Sequence, residues 1–180
     1  MITTILVEHP WLSPSALAVL VVVGPPVGAW LVTRPRAARV LLAASLLPVA
    51  VLTLVPVDRE LYGTCEVAWT LPTIGRVELA ANVVLFVAPV LLAAVVLGRW
   101  GPALLAGVAL SAAIETVQAL VPALGRSCST NDWLSNSIGA VVGAGLGMLA
   151  LRLARRPGDL HRTSTRPPRN PTGSAPSVGS

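Results

Sequence analysis

The feature that most constrains this chain is a set of five apolar segments, each close to 20 residues long. They run approximately Ser15–Val32, Ala38–Val55, Leu79–Leu97, Ala103–Val121 and Trp133–Leu153. A helix rising about 1.5 Å per residue needs roughly 20 such residues to cross about 30 Å of hydrocarbon. The composition agrees, because 54% hydrophobic and 12% charged residues are too apolar a mixture for an ordinary soluble domain. The expected fold class is all-α: a polytopic transmembrane helical bundle of about five spans.

The predicted organisation is an extracytoplasmic N-terminal stretch over 1–14, the bundle over 15–155 and a cytoplasmic tail over 156–180. Gly24, Pro25 and Pro26 interrupt the first segment and predict a kink there. A signal peptide is the competing reading of this region. It lacks a basic stretch before the apolar run and a small-residue cleavage site after it, so the segment is read as a retained span. Beyond Arg156 the chain is rich in proline, serine, glycine and arginine. Such a composition cannot bury a core and predicts disorder, with the arginines either resting on an anionic leaflet or simply solvated.

Positive charge sets the expected orientation, since short cytoplasmic loops carry an excess of it. All thirteen basic residues are arginine. Arg34, Arg36, Arg39, Arg99, Arg152, Arg155 and Arg156 fall on one side of the bundle, and Arg59, Arg76 and Arg126 on the other. The N-terminus is therefore expected outside and the C-terminus inside. This topology puts Cys65 and Cys128 on the same outer face, where an oxidising compartment would preserve a disulfide between them. Two unpaired thiols are the alternative, because spacing alone does not supply the Cα separation of about 4.4–6.8 Å that a bridge needs.

Carboxylates and carboxamides recur at helical spacing inside or beside these apolar runs: Glu78 with Asn82, Glu115 with Gln118, and Asp132 with Asn136. Residues three or four apart share a helix face, and under this topology all three pairs occupy the outer half of the bundle. An acid at the centre of a span costs about 2.5–3.5 kcal/mol even on the lenient insertion scale, which favours a functional reading of Glu115. For the others a structural reading stays open. Asp132 or Ser129 would cap the fifth helix, Asn82 and Gln118 would bond between helices, and Glu78 would be solvated at the interface. Arg126 is the nearest outer cation and would pair with Glu115 or Asp132. Gly139, Gly143 and Gly147 form a small-residue stripe, which favours close packing within the bundle over a dimer contact. Trp11, Trp30, Trp69, Trp100 and Trp133 lie near span ends or in an outer loop, as interfacial anchors do.

In order and spacing, these residues resemble the VanZ-like integral membrane proteins of bacteria. The resemblance rests on Glu78-x-x-x-Asn82 followed by Leu85, Phe86 and Pro89, then Glu115-x-x-Gln118, Arg126, and Asp132-x-x-x-Asn136-x-x-Gly139 with Gly143. It covers about Pro56 to Leu149 and includes the chain's single phenylalanine. One departure is Val90, where a glycine often follows the proline. The resemblance implies a multi-pass protein of the bacterial cell membrane with an envelope role at its outer face. The family is named for an association with resistance to glycopeptide antibiotics, teicoplanin in particular, and membership alone does not imply resistance.

Three function classes follow. The first is a non-enzymatic protein whose polar pocket of Glu78, Asn82, Glu115, Gln118, Arg126, Asp132 and Asn136 binds a lipid-linked or amphiphilic envelope ligand and lowers susceptibility to an antibiotic such as teicoplanin. The second is an intramembrane enzyme acting on an envelope lipid or cell-wall precursor, with Glu115 or Asp132 as general base and Arg126 on a phosphate. The third, a proton-coupled transporter using Glu115, is disfavoured by five spans without an inverted repeat. No histidine lies in the pocket and nothing activates Ser111, one turn before Glu115, so no catalytic residue is assigned and the non-enzymatic reading leads. Glu78, Glu115 and Asp132 carry hard oxygen ligands of the kind magnesium or calcium takes, yet neither a metal nor a cofactor is expected. Membrane lipids are the expected partners. Nucleic acid is excluded as one, because the arginines gather beside the spans and in the tail instead of on one folded face.

Overall fold

Each of the five apolar segments becomes one helix. The computed structural model describes residues 8–56, 65–71, 77–125 and 128–155. In it α1 spans Leu12–Val32, α2 Pro35–Leu54, α3 Val77–Leu97, α4 Trp100–Leu120 and α5 Thr130–Arg155. All five are long and apolar enough to cross a membrane. Among the described residues there is no strand, only an isolated parallel bridge between Glu66 and Ser129. The protein is a multi-pass membrane bundle, all-α as its sequence predicts.

The helices start up to three residues before the apolar runs. Pro35 opens α2 with a preset φ and no N–H to satisfy, and Thr130, Asn131 and Asp132 form the first turn of α5. Pro25 and Pro26 lie inside α1 without ending it. The glycines around them let α1 approach its neighbours: a Cβ at Gly24 would meet Leu91 of α3, and one at Gly28 would meet Ala150 of α5. Arg34 follows α1 and places its guanidinium 3.8 Å from the centroid of the Trp30 ring. Between α3 and α4 the chain reverses through Gly98 at φ +63°, a conformation that other residues seldom adopt.

The central element is α3, which packs against all four other helices. Three buried clusters run along it. Leu91 and Val95 meet Leu31, Ala38 and Ala150, while Val90 and Ala94 meet Ala103, Ala140 and Ala144. Phe86 meets Val49 and Ile114. The closest approach is between α3 and α5, where the glycine stripe lies on the α3 backbone. A Cβ at Gly139 would run into the Val83 carbonyl oxygen, and one at Gly143 would lie 2.5 Å from that of Val87. The stripe is thus consumed within the bundle.

The chain order divides the bundle into two ends. Residues 65–71, the ends of α2 and α4 and the starts of α3 and α5 share one end. The turns after α1 and α3 and the last turn of α5 share the other. At the first end Cys65 and Cys128 form a disulfide with a Cα–Cα distance of 4.9 Å, inside the range a bridge requires. The tail beyond Arg155 lies outside the described residues.

Candidate functional site

The polar residues that stand out in the sequence converge at the disulfide end, beneath a short roof formed by residues 65–71. The roof is tied to the start of α5 by backbone and side chain together. Glu66 N–H donates to the Cys128 carbonyl at 3.0 Å, and Thr130 N–H donates to that of Glu66 at 3.1 Å. The Thr130 hydroxyl accepts from Ala68 N–H at 2.9 Å and donates to the Ala68 carbonyl at 2.7 Å. Thr70 N–H donates to Asn131 Oδ1 at 2.7 Å, and Trp69 meets Trp133 edge-on with centroids 6.3 Å apart. Ser129 caps α5 through its hydroxyl, which accepts from Asn131 N–H at 3.2 Å.

Beneath this roof four polar side chains, Asn82, Glu115, Gln118 and Asn136, tie one element to another. Asn82 on α3 donates from Nδ2 to Asp132 Oδ1 on α5 at 2.7 Å. Glu115 on α4 accepts the Ser129 N–H through Oε2 at 2.8 Å, so its carboxylate serves the start of α5 from a neighbouring helix. That placement gives a backbone N–H at the start of α5 an acceptor from outside its own helix. Deeper, Asn136 Nδ2 on α5 donates to Ser111 Oγ on α4 at 3.1 Å, with both residues buried. Gln118 is turned the other way and donates to the Thr53 carbonyl at 2.9 Å, one of the orphan acceptors in the last turn of α2. Phe86 is 1% exposed and closes the layer one turn below Asn82.

The structure therefore brings together Asn82, Glu115, Asp132 and Asn136, and directs Gln118 toward α2. Glu78 is exposed in the first turn of α3, where a carboxylate complements the helix N-terminus. Arg126, with its expected pairing to Glu115 or Asp132, lies outside the described residues. Pro89 is buried inside α3. Among the described residues no three His, Cys, Asp or Glu side chains are placed to hold a metal ion.

Sequence reasoning missed Ser135, Thr130 and Asn131, and assigned Ser111 no place in the pocket. Ser111 carried a signal in its spacing of four from Glu115, and Ser135 one in its place beside Asn136. Thr130 and Asn131 precede the apolar run and read as loop. Ser135 Oγ and Asn136 Oδ1 are buried and make no hydrogen bond among the described residues. The layer thus combines satisfied interhelical contacts with one buried hydroxyl and one buried amide oxygen that the described protein leaves unbonded.

Comparison with curated proteins and with solved structures found no match. The sequence model of VanZ/LLP1 matches residues 15–151, from the first turn of α1 to the last turns of α5. That match spans the whole bundle together with its polar layer, and the chain belongs to the VanZ/LLP1 family.

Proposed function

We propose that this membrane protein acts in the cell envelope by holding the polar head of a lipid-linked or amphiphilic ligand in the layer below residues 65–71. The observation that carries this reading is the pair of buried atoms, Ser135 Oγ and Asn136 Oδ1, without hydrogen-bond partners among the described residues. A buried polar group left unbonded costs about 1–3 kcal/mol, and polar groups within spans cluster at ligand and ion paths. Here Asn136 also bonds Ser111 through Nδ2, and Glu115 lies one turn from Ser111 toward the roof. Hydroxyl, amide and carboxylate groups together suit the hydroxyls and amides of an envelope precursor, while the apolar surfaces of the helices suit its lipid. Occupancy of such a ligand would reduce the access of a glycopeptide such as teicoplanin to the surface.

The test is the teicoplanin and vancomycin susceptibility of a sensitive Gram-positive host. The host would express the chain, Glu115→Gln or Asn136→Leu at matched membrane levels, with disulfide formation as the folding control. Reduced teicoplanin susceptibility with the wild type, lost in both variants, is the expected result. An unchanged susceptibility with the wild type removes the glycopeptide part of the proposal, and a full effect in both variants removes the polar layer from it.

A further inference from the structure

The opposite end of the bundle carries a second polar feature, unrelated to the layer just described. A cavity of about 470 Å³ lies between the α3–α4 turn and the last turns of α5, within the range of about 300–1,000 Å³ usual for ligand pockets. Arg99 enters it from the turn, and Arg152 and Arg155 enter from α5, three residues apart and so on one face. Trp100, Met148 and Leu151 give it an apolar side.

The charge of this cavity is uncompensated by the described protein. Every described acidic residue, Glu8, Glu66, Glu78, Glu115 and Asp132, lies at or before the other end. The terminal carbonyls of α5 offset only about half an elementary charge of the three guanidinium groups. The 21-residue α4 begins at the same cavity, and its N-cap, Arg99, makes no side-chain capping bond. Trp100 and Gly101 of its first turn line the cavity, where the positive end of the helix dipole adds about half a positive charge. Arg34, at the same end, differs in having its guanidinium stacked on Trp30.

We infer that this cavity is a binding site for a phosphate-bearing anion, either the headgroup of an anionic phospholipid or free phosphate. Guanidinium forks match phosphate oxygens in pairs, and basic recesses between spans suit acidic headgroups. The apolar side formed by Trp100, Met148 and Leu151 would accommodate the glycerol and first acyl carbons of a lipid.

The experiment uses the full chain reconstituted in mixed phosphatidylcholine and phosphatidylglycerol, with retained lipid counted by native mass spectrometry with and without added inorganic phosphate. Wild type is compared with Arg99→Gln/Arg152→Gln and with a control pair, Arg36→Gln/Arg39→Gln, which removes equal charge from the same end outside the cavity. All four positions are exposed, so the substitutions leave the packing intact. Selective retention of phosphatidylglycerol is expected, weakened roughly five-fold per cavity arginine removed and unchanged in the control pair. Retention that inorganic phosphate does not displace assigns the site to a lipid headgroup. Displacement by phosphate with the same arginine dependence assigns it to the free anion. Equal losses in the two pairs, or neither lipid selectivity nor arginine-dependent phosphate binding, would overturn the inference.

Discussion

Glu115 faces opposing demands, because a carboxylate within a span costs free energy that its surroundings must offset. Its Oε2 accepts the Ser129 N–H at 2.8 Å, and a hydrogen bond of this kind contributes about 0.5–1.5 kcal/mol. Glu115→Gln keeps a carbonyl that can accept the same N–H, so stability should change by less than about 1 kcal/mol. Glu115→Leu leaves the Ser129 N–H without that acceptor and should cost about 1–3 kcal/mol. Unfolding of the purified protein by a graded denaturing detergent separates the two, and equal losses would show that the bond is not what holds this residue. Asn136→Leu makes the complementary case. It removes an unbonded buried oxygen along with the bond to Ser111, two effects of opposite sign. Its net change should fall within about 1 kcal/mol of zero, measured in the same way. A near-neutral variant that loses the envelope phenotype would mark Asn136 as kept for function at the expense of stability.

At the scale of elements the contact between α3 and α5 decides whether the bundle forms. Gly139→Ala and Gly143→Ala would press a methyl group against backbone carbonyls of Val83 and Val87, which cannot rotate away as side chains can. Each should cost about 1–3 kcal/mol in detergent unfolding, the usual toll of overpacking. Gly145→Ala on the same helix meets nothing within 4 Å and should be neutral or gain a few tenths from helix propensity. A similar loss at all three positions would mean that helix flexibility, and not close approach, is what the glycines supply. The element scale is also where the sequence was most legible. Five apolar runs gave five helices with ends displaced by at most three residues, and the four-residue glycine spacing announced a close contact. What could not be read was the partner of each polar group. Gln118 bonds to the Thr53 carbonyl and Glu115 to the Ser129 N–H, and every residue offers such backbone groups, so neither partner has a signature in sequence. The cavity at the arginine end was hidden for a related reason. Arg99 and Arg152 are far apart in the chain, and only the antiparallel return of α4 and the course of α5 bring them to one space.

For the whole molecule the disulfide links stability to orientation. Cys65 and Cys128 are separated by 63 positions, a ring for which the chain-entropy relation gives about 4 kcal/mol in a chain that unfolds freely in water. That ring contains α3 and α4, which stay inserted as helices when a membrane protein loses its tertiary contacts, so less freedom remains for the bond to remove. Reduction should therefore cost about 1–2 kcal/mol, well under the aqueous figure. The bond also persists only where the compartment is oxidising, and the arginine asymmetry independently predicts that its end faces outside. In intact cells, a membrane-impermeant reductant followed by an impermeant maleimide should label Cys65, which is exposed. In inverted vesicles the same reagents should leave it unlabelled. The opposite pattern would reverse the proposed orientation and move the polar layer to the cytoplasmic face. An envelope ligand at the outer surface would then be out of its reach, so this labelling experiment tests the topology on which the proposed function rests.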